Sequence, residues 1–108
     1  MWIFNHKGNP KWQTYITLLN FTDQGIRNVK DTINRANAFK EVANSHGADV
    51  KDLYWTLGQH DMVAIVDVPD DIVITALGLA LGKLGNVRTQ TLRAFSQSEM
   101  DVILSKLP

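Results

Sequence analysis

The chain has 108 residues, 44% of them apolar and 20% charged, with 11 basic side chains balancing 11 acidic ones. That size sets one domain with a modest core, burying roughly 65% of the unfolded surface. Zero net charge removes any broad attraction to nucleic acid or anionic membrane, and the lack of Cys removes disulfides and thiolate chemistry, a composition that suits the cytoplasm.

Residues 1–12 carry no periodicity and hold Gly8, Pro10, Trp2 and Trp12; they read as an extension before a domain spanning 13–108. Either this is a flexible arm, or Trp2, Ile3 and Phe4 dock on another subunit, since such residues are seldom left in water. The same three residues are too short for a signal-peptide core. Gln13 to Phe21 reads as a strand with Tyr15, Leu19 and Phe21 on one face and Ile16 and Leu18 on the other. Apolar residues on both faces place a strand in the middle of a sheet. Thr22 or Asp23 can then cap a helix from about Ile26 to His46, with Val29, Ile33, Ala36, Phe39 and Ala43 as its apolar stripe. Asp31 and Arg35, four apart, are spaced to pair, and Gly47 supplies a left-handed stop.

Asp49 to Val68 reads as a hairpin around Gly58-Gln59-His60-Asp61. Its second strand is apolar on both faces: Met62, Ala64, Val66 and Val68 against Val63 and Ile65. Pro69-Asp70-Asp71 opens a second helix with Val73, Leu77, Ala80 and Leu84 as its stripe and Gly85 as its stop. The run Ile72 to Leu81 is too short to span a bilayer, which takes about 20 residues. Gly78 and Gly82 each cost up to ~1 kcal/mol in a helix interior, so a close neighbour is expected on their face. Asn86 to Phe95 is a strand of mixed polarity, as at a sheet edge. Ser96 and Glu99 are spaced as a capping box for a short third helix, whose stripe of Met100, Ile103, Leu104 and Leu107 needs a surface to cover it.

This order is the ferredoxin-like βαββαβ pattern, an α+β sandwich with a four-stranded antiparallel sheet, two helices on one face and a short C-terminal helix. The first and third strands then lie in the middle, and the far face of the sheet shows more apolar surface than a monomer tolerates. A homodimer or higher homo-oligomer, pairing sheet to sheet like a dimeric α/β barrel, is the expected assembly.

Three segments, Tyr15-Ile-Thr-Leu-Leu-Asn-Phe-Thr-Asp-Gln-Gly-Ile-Arg27, Tyr54-Trp-Thr-Leu-Gly-Gln-His-Asp61 and Gly85-Asn-Val-Arg-Thr-Gln-Thr-Leu-Arg-Ala-Phe95, resemble the GYD domain family, small prokaryotic proteins, over residues 14–107. Gly58 and Asp61 match its signature, with His60 in the tyrosine position. The resemblance implies a ferredoxin-like fold related to dimeric α/β barrels, in a bacterial setting, and brings no established activity.

An imidazole is the side chain suited to proton exchange near neutrality, and His60 stands beside Asp61, yet adjacent strand residues point to opposite faces. His60 reads either as an interface residue or as a ligand or acid–base group; Asp61 reads as a hairpin-corner residue bonding backbone, or as its partner. Arg27, Arg88 and Arg93 suit an anionic group, or else an ion pair or a solvated edge. Tyr54 and Trp55 lie on opposite faces of one strand, one expected in the core and the other at a cavity or subunit contact. His6, His46 and His60 lack metal spacing, and no Gly-rich phosphate loop or nucleophile elbow is present, so neither metal nor cofactor is expected. The strand from Asp61 to Val66 has no aromatic or basic residue for stacking RNA bases.

Two functions fit. One is a homo-oligomeric binding or regulatory module taking a small organic or anionic ligand between sheet and helices or at a subunit junction. The other, by fold analogy, is a cofactor-independent isomerase, monooxygenase or lyase with His60 as acid–base group and Arg88 orienting an anion.

Overall fold

The structure, a computed structural model, describes residues 12–108; Trp2, Ile3 and Phe4, expected to dock on a subunit, lie outside the described residues. The strands are β1 (Gln13–Phe21), β2 (Asp49–Trp55), β3 (Met62–Val68) and β4 (Val87–Ala94), and the helices α1 (Asp23–Arg27), α2 (Thr32–Ser45), α3 (Asp71–Leu84) and α4 (Gln97–Ser105). The sheet runs β2-β3-β1-β4, antiparallel throughout, which is the ferredoxin-like arrangement. The two strands with apolar residues on both faces, β1 and β3, sit in the middle, and the polar β4 is an edge.

Cross-strand register fixes the faces. Tyr15, Thr17 and Leu19 pair with Val66, Ala64 and Met62, and these six are buried beneath the helices. Ile16, Leu18, Val63 and Ile65 point the other way and are half-buried. Tyr54, opposite Val63, and Leu92, opposite Ile16, extend this second apolar face and are exposed. Both long helices pack on the first face.

The expected first helix is broken. Thr22 caps α1, accepting from Gly25 N–H at 3.1 Å, but α1 stops after five residues, and a 3-10 turn at Val29–Asp31 leads into α2. The expected Asp31–Arg35 pair does not form. Asp31 accepts from Asn34 Nδ2 at 2.9 Å, while Arg35 turns back and donates to Asn28 O at 2.8 Å and Gly25 O at 3.3 Å. Gly25 O lies where α1 ends, Asn28 O already takes the Asp31 N–H at 3.0 Å in the 3-10 turn, and a guanidinium there also offsets the negative end of the helix dipole. Periodicity hides the break because the 3-10 turn keeps nearly the helical path.

In α3 the stripe is rotated by about one residue from the expected one. Ile74 and Leu77 are buried, while Leu84 is exposed. This helix is apolar almost all round, so spacing alone fixes its phase poorly. The helix opens and stops where expected: Asp70 serves as its N-cap, accepting from Val73 N–H at 3.0 Å, and Gly85 is left-handed at φ 84°.

The glycines also depart from expectation. A Cβ on Gly78 would meet nothing nearer than Thr89 Oγ1 at 3.8 Å, and one on Gly82 would meet nothing within 4 Å. The tight glycine is Gly25, buried in α1, where a Cβ would fall 2.0 Å from Asn86 O. Thr22 N–H donates to that same oxygen at 3.0 Å, so α1 is fastened to the start of β4 backbone to backbone.

Ser96 and Glu99 form the capping box of α4, and no α4 residue is buried. Its stripe of Met100, Ile103, Leu104 and Leu107 stays exposed, Leu107 by 66%.

Two glycine substitutions are expected to act in opposite directions. Gly25→Ala forces backbone apart and lowers unfolding stability by about 1–3 kcal/mol, as overpacking does. Gly82→Ala meets open space and raises it by up to ~1 kcal/mol. Urea unfolding of both variants checks the pair; equal effects would contradict the packing around Gly25.

Candidate functional site

A cross-strand row of small side chains crosses the helix face of the sheet: Ala64 opposite Thr17, and Thr17 opposite Thr91. Thr17 and Thr91 bond each other through their hydroxyls at 3.3 Å, which satisfies both in apolar surroundings. Above the row stand Ala36 of α2 and Gly78 of α3. Nothing there is large enough to fill the layer between helices and sheet, where packing normally leaves little void. The result is a half-open cleft of about 270 Å³ between α2 and α3, walled by Phe39, Val42, Ile74, Leu77 and Leu81 and floored by Leu19, Met62 and the small row. A second hollow of about 230 Å³ lies between α3 and β4 against Gly78, Thr89 and Thr91. The two glycines expected to admit a neighbour instead leave room.

The polar lining of the cleft is sparse: Thr17, Thr32, Thr91, Asn86 and Arg35. Arg35 is the one ionisable side chain among the lining residues. The sequence singled it out only as a helix-surface pair for Asp31, and no sequence signal marks it as a cleft residue, because the helix break that turns it inward is hidden in the periodicity.

Most of the residues expected from sequence to form a site stand outside the cleft lining. His60 sits half-buried at the end of the β2–β3 hairpin, its Nδ1 2.9 Å from Asn20 Oδ1. Asn20 Nδ2 donates to Gln59 O at 2.7 Å, which orients the amide and assigns the shared proton to His60 Nδ1. Asp61 goes elsewhere: its Oδ2 accepts from Phe21 N–H at 2.8 Å and its own N–H donates to Leu19 O at 2.9 Å. It thus carries the β1–β3 pairing past the end of β3, and the neighbours His60 and Asp61 hold different partners.

Arg88 lies opposite Asn20 in register, but its guanidinium turns to Gly82 O at 3.3 Å and Val87 O at 3.1 Å. Arg27 is exposed in the last turn of α1. Neither Tyr54 nor Trp55 is in the core, being 56% and 44% exposed. Tyr54 belongs to the second sheet face. Trp55 Nε1 donates to Thr32 Oγ1 at 3.0 Å, at the rim of the cleft.

A further group joins the far ends of β1 and β4 to α4. The Arg93 guanidinium is 4.5 Å from the Phe95 ring centroid and 5.8 Å from that of Tyr15, and its Nη2 donates to Glu99 Oε2 at 2.7 Å. Burial pushes the Tyr15 phenol up; the Asp71 and Asp70 carboxylates push the same way and Arg93 opposes them. For Glu99, burial acts upward but is outweighed by the Ser96 N–H and by Arg93, which together hold the carboxyl below its ordinary value. On the second sheet face, Asp67 is 1% exposed, accepting from Thr14 Oγ1 at 2.6 Å with Lys51 Nζ at 4.0 Å.

Among the described residues no cluster of His, Asp or Glu could hold a metal ion, and no helix is long and apolar enough to cross a membrane. These features define a ferredoxin-like α+β domain with a largely apolar cleft of about 270 Å³ beneath its helices. The chain belongs to the GYD domain family, whose sequence profile matches residues 15–104. No curated protein matches it, and no solved structure does.

The depressed Glu99 pKa gives the base of α4 an acid dependence. Stability from a lowered carboxyl is fully present above the unfolded value and is lost as pH falls through the folded one. Amide protection in α4, with the intrinsic pH dependence of exchange divided out, is therefore expected to be high above about pH 5 and to fall on acidification below Glu99's ordinary 4.5. Glu99→Gln should show lower protection at neutral pH and lose the acid step. An unchanged acid step in that variant would show that another group anchors α4.

Proposed function

We propose that the protein is a homo-oligomeric module that binds a small molecule in the cleft between α2, α3 and the sheet, in a binding or regulatory role. The cleft itself carries this reading. A volume of about 270 Å³ lies just under the lower end of ordinary ligand pockets, roughly 300–1,000 Å³. Its lining also has their character, largely apolar with a few polar groups that can orient a ligand. The lining described holds no His, Asp, Glu, Lys, Cys or Tyr, the side chains that ordinarily exchange protons in catalysis. This favours binding over chemistry. The acid–base alternative built on His60 gains no support from geometry, since His60 is outside the cleft and Arg88 is engaged with backbone carbonyls.

The oligomer is the reading that best accounts for the second sheet face. Ile16, Leu18, Val63 and Ile65 form its middle, Tyr54 and Leu92 extend it, and α4 carries a further apolar stripe. A second copy placed sheet to sheet about 10 Å away buries these residues in one two-fold contact. The cytoplasm remains the setting proposed for the assembly.

Two variants separate the parts of this reading. Gly78→Leu places a side chain at the cleft and removes a helix-interior glycine, so it should abolish binding of a hydrophobic fluorescent probe without lowering Tm. Val63→Asp puts a carboxylate in the proposed contact, where an unpaired charge is costly, and should give monomer by sedimentation velocity. Probe binding unchanged in the first, or an intact dimer in the second, would remove the corresponding half.

A further inference from the structure

The chemistry of the cleft narrows its ligand, given the reading of it as a binding site. Arg35 is the one charged side chain in the described lining, and no carboxylate lines the cleft. Asp31, at the end of the 3-10 turn and four residues before Arg35, takes Asn34 instead. Among the described residues the guanidinium bonds only two backbone carbonyls, Asn28 O and Gly25 O. Those bonds use two of its five N–H donors and fix its plane. The remaining donors are therefore held in place by the α1–α2 break, beside apolar walls. Asn86 adds a neutral donor to the same lining, because its Oδ1 already accepts from Gln24 Nε2 at 3.0 Å, leaving its Nδ2 to donate.

We infer that the ligand is a small apolar carboxylic acid, with its hydrocarbon part in the cleft and its carboxylate on Arg35. A planar, pre-oriented guanidinium is matched to a carboxylate, and charge-assisted bonds of this kind are the strong ones in partly dry surroundings. A cationic ligand would find no counter-ion in the described lining and would meet Arg35. A neutral ligand would bury the same hydrocarbon but leave the charge unmatched. Size sets the hydrocarbon part: a void of about 150 Å³ takes benzene, so one of this volume takes roughly eight to ten carbons.

Calorimetric titration of the intact chain with octanoate, 1-octanol and octylamine near pH 7.5 tests the inference without any variant. Octanoate is expected to bind at least about tenfold more tightly than octanol, the usual scale for a hydrogen bond to a charged group, with octylamine weakest. Arg35→Gln should bring octanoate down to the level of octanol, while Arg35→Lys should keep part of the preference. Equal binding of octanoate and octanol by the unaltered chain would overturn the carboxylate and leave the cleft as a site for neutral apolar molecules. If none of the three binds, but all bind a Met100→Asp variant, the cleft is filled by α4 of a second copy and the inference fails. If none binds either protein, the ligand site itself falls with it.

Discussion

The space under the helices depends on what the two central strands present there. β1 and β3 bring Thr17 and Ala64 side by side, and β4 adds Thr91, so the middle of the helix face is built from side chains of at most three heavy atoms. Larger residues in that row would have raised the floor to meet α2 and α3. Instead the helices stand over a layer that their own Ala36 and Gly78 do not fill. Leu19, Val66, Ile74 and Leu77 are buried yet line the cleft, so the opening lies within the core, with Val68 packed beyond it.

The two faces of those strands make different demands. One face is roofed by helices and keeps a cleft; the other, with Ile16, Leu18, Val63 and Ile65, receives no helix from α1 to α3. The hairpin end shows how the chain spends its polar residues. Asp61 extends the strand pairing, Asn20 binds both the Gln59 carbonyl and His60, and Thr56 closes the loop by donating its N–H to Asp61 O at 2.8 Å. These contacts set the register of β3 against β1. Register decides which of Ala64 and Val63 faces the helices, because a slip of one residue would exchange the two faces.

Much of this was legible in the chain. Apolar residues on both faces placed β1 and β3 in the centre and mixed polarity placed β4 at an edge, and local chemistry named Thr22, Gly85 and Ser96 at helix ends, since each depends on neighbours within a few residues. What depends on distant neighbours was not legible. The break after α1 is stabilised by Arg35, seven residues beyond Asn28, and nothing in helical periodicity reports it. Gly25 is required by Asn86, 61 positions away in the chain. Gly78 and Gly82 carry the same sequence signal whether they admit a neighbour or leave a void, so the sign of their effect needed the fold.

The site shows the same division. His60 and Asp61 drew notice as an adjacent titratable pair, but adjacency along a strand separates side chains, and the hairpin gave each its own partner. Thr17, Ala64, Thr91 and Gly78 drew less notice because none carries reactive chemistry. Their importance lies in their small size at one place in three strands and a helix. The central claim is that this place is open in the folded protein. A crystal structure under xenon pressure tests it most directly. The account predicts xenon between α2 and α3, against Ala64, Thr17 and Gly78; helices closed onto the sheet with no xenon there would contradict it.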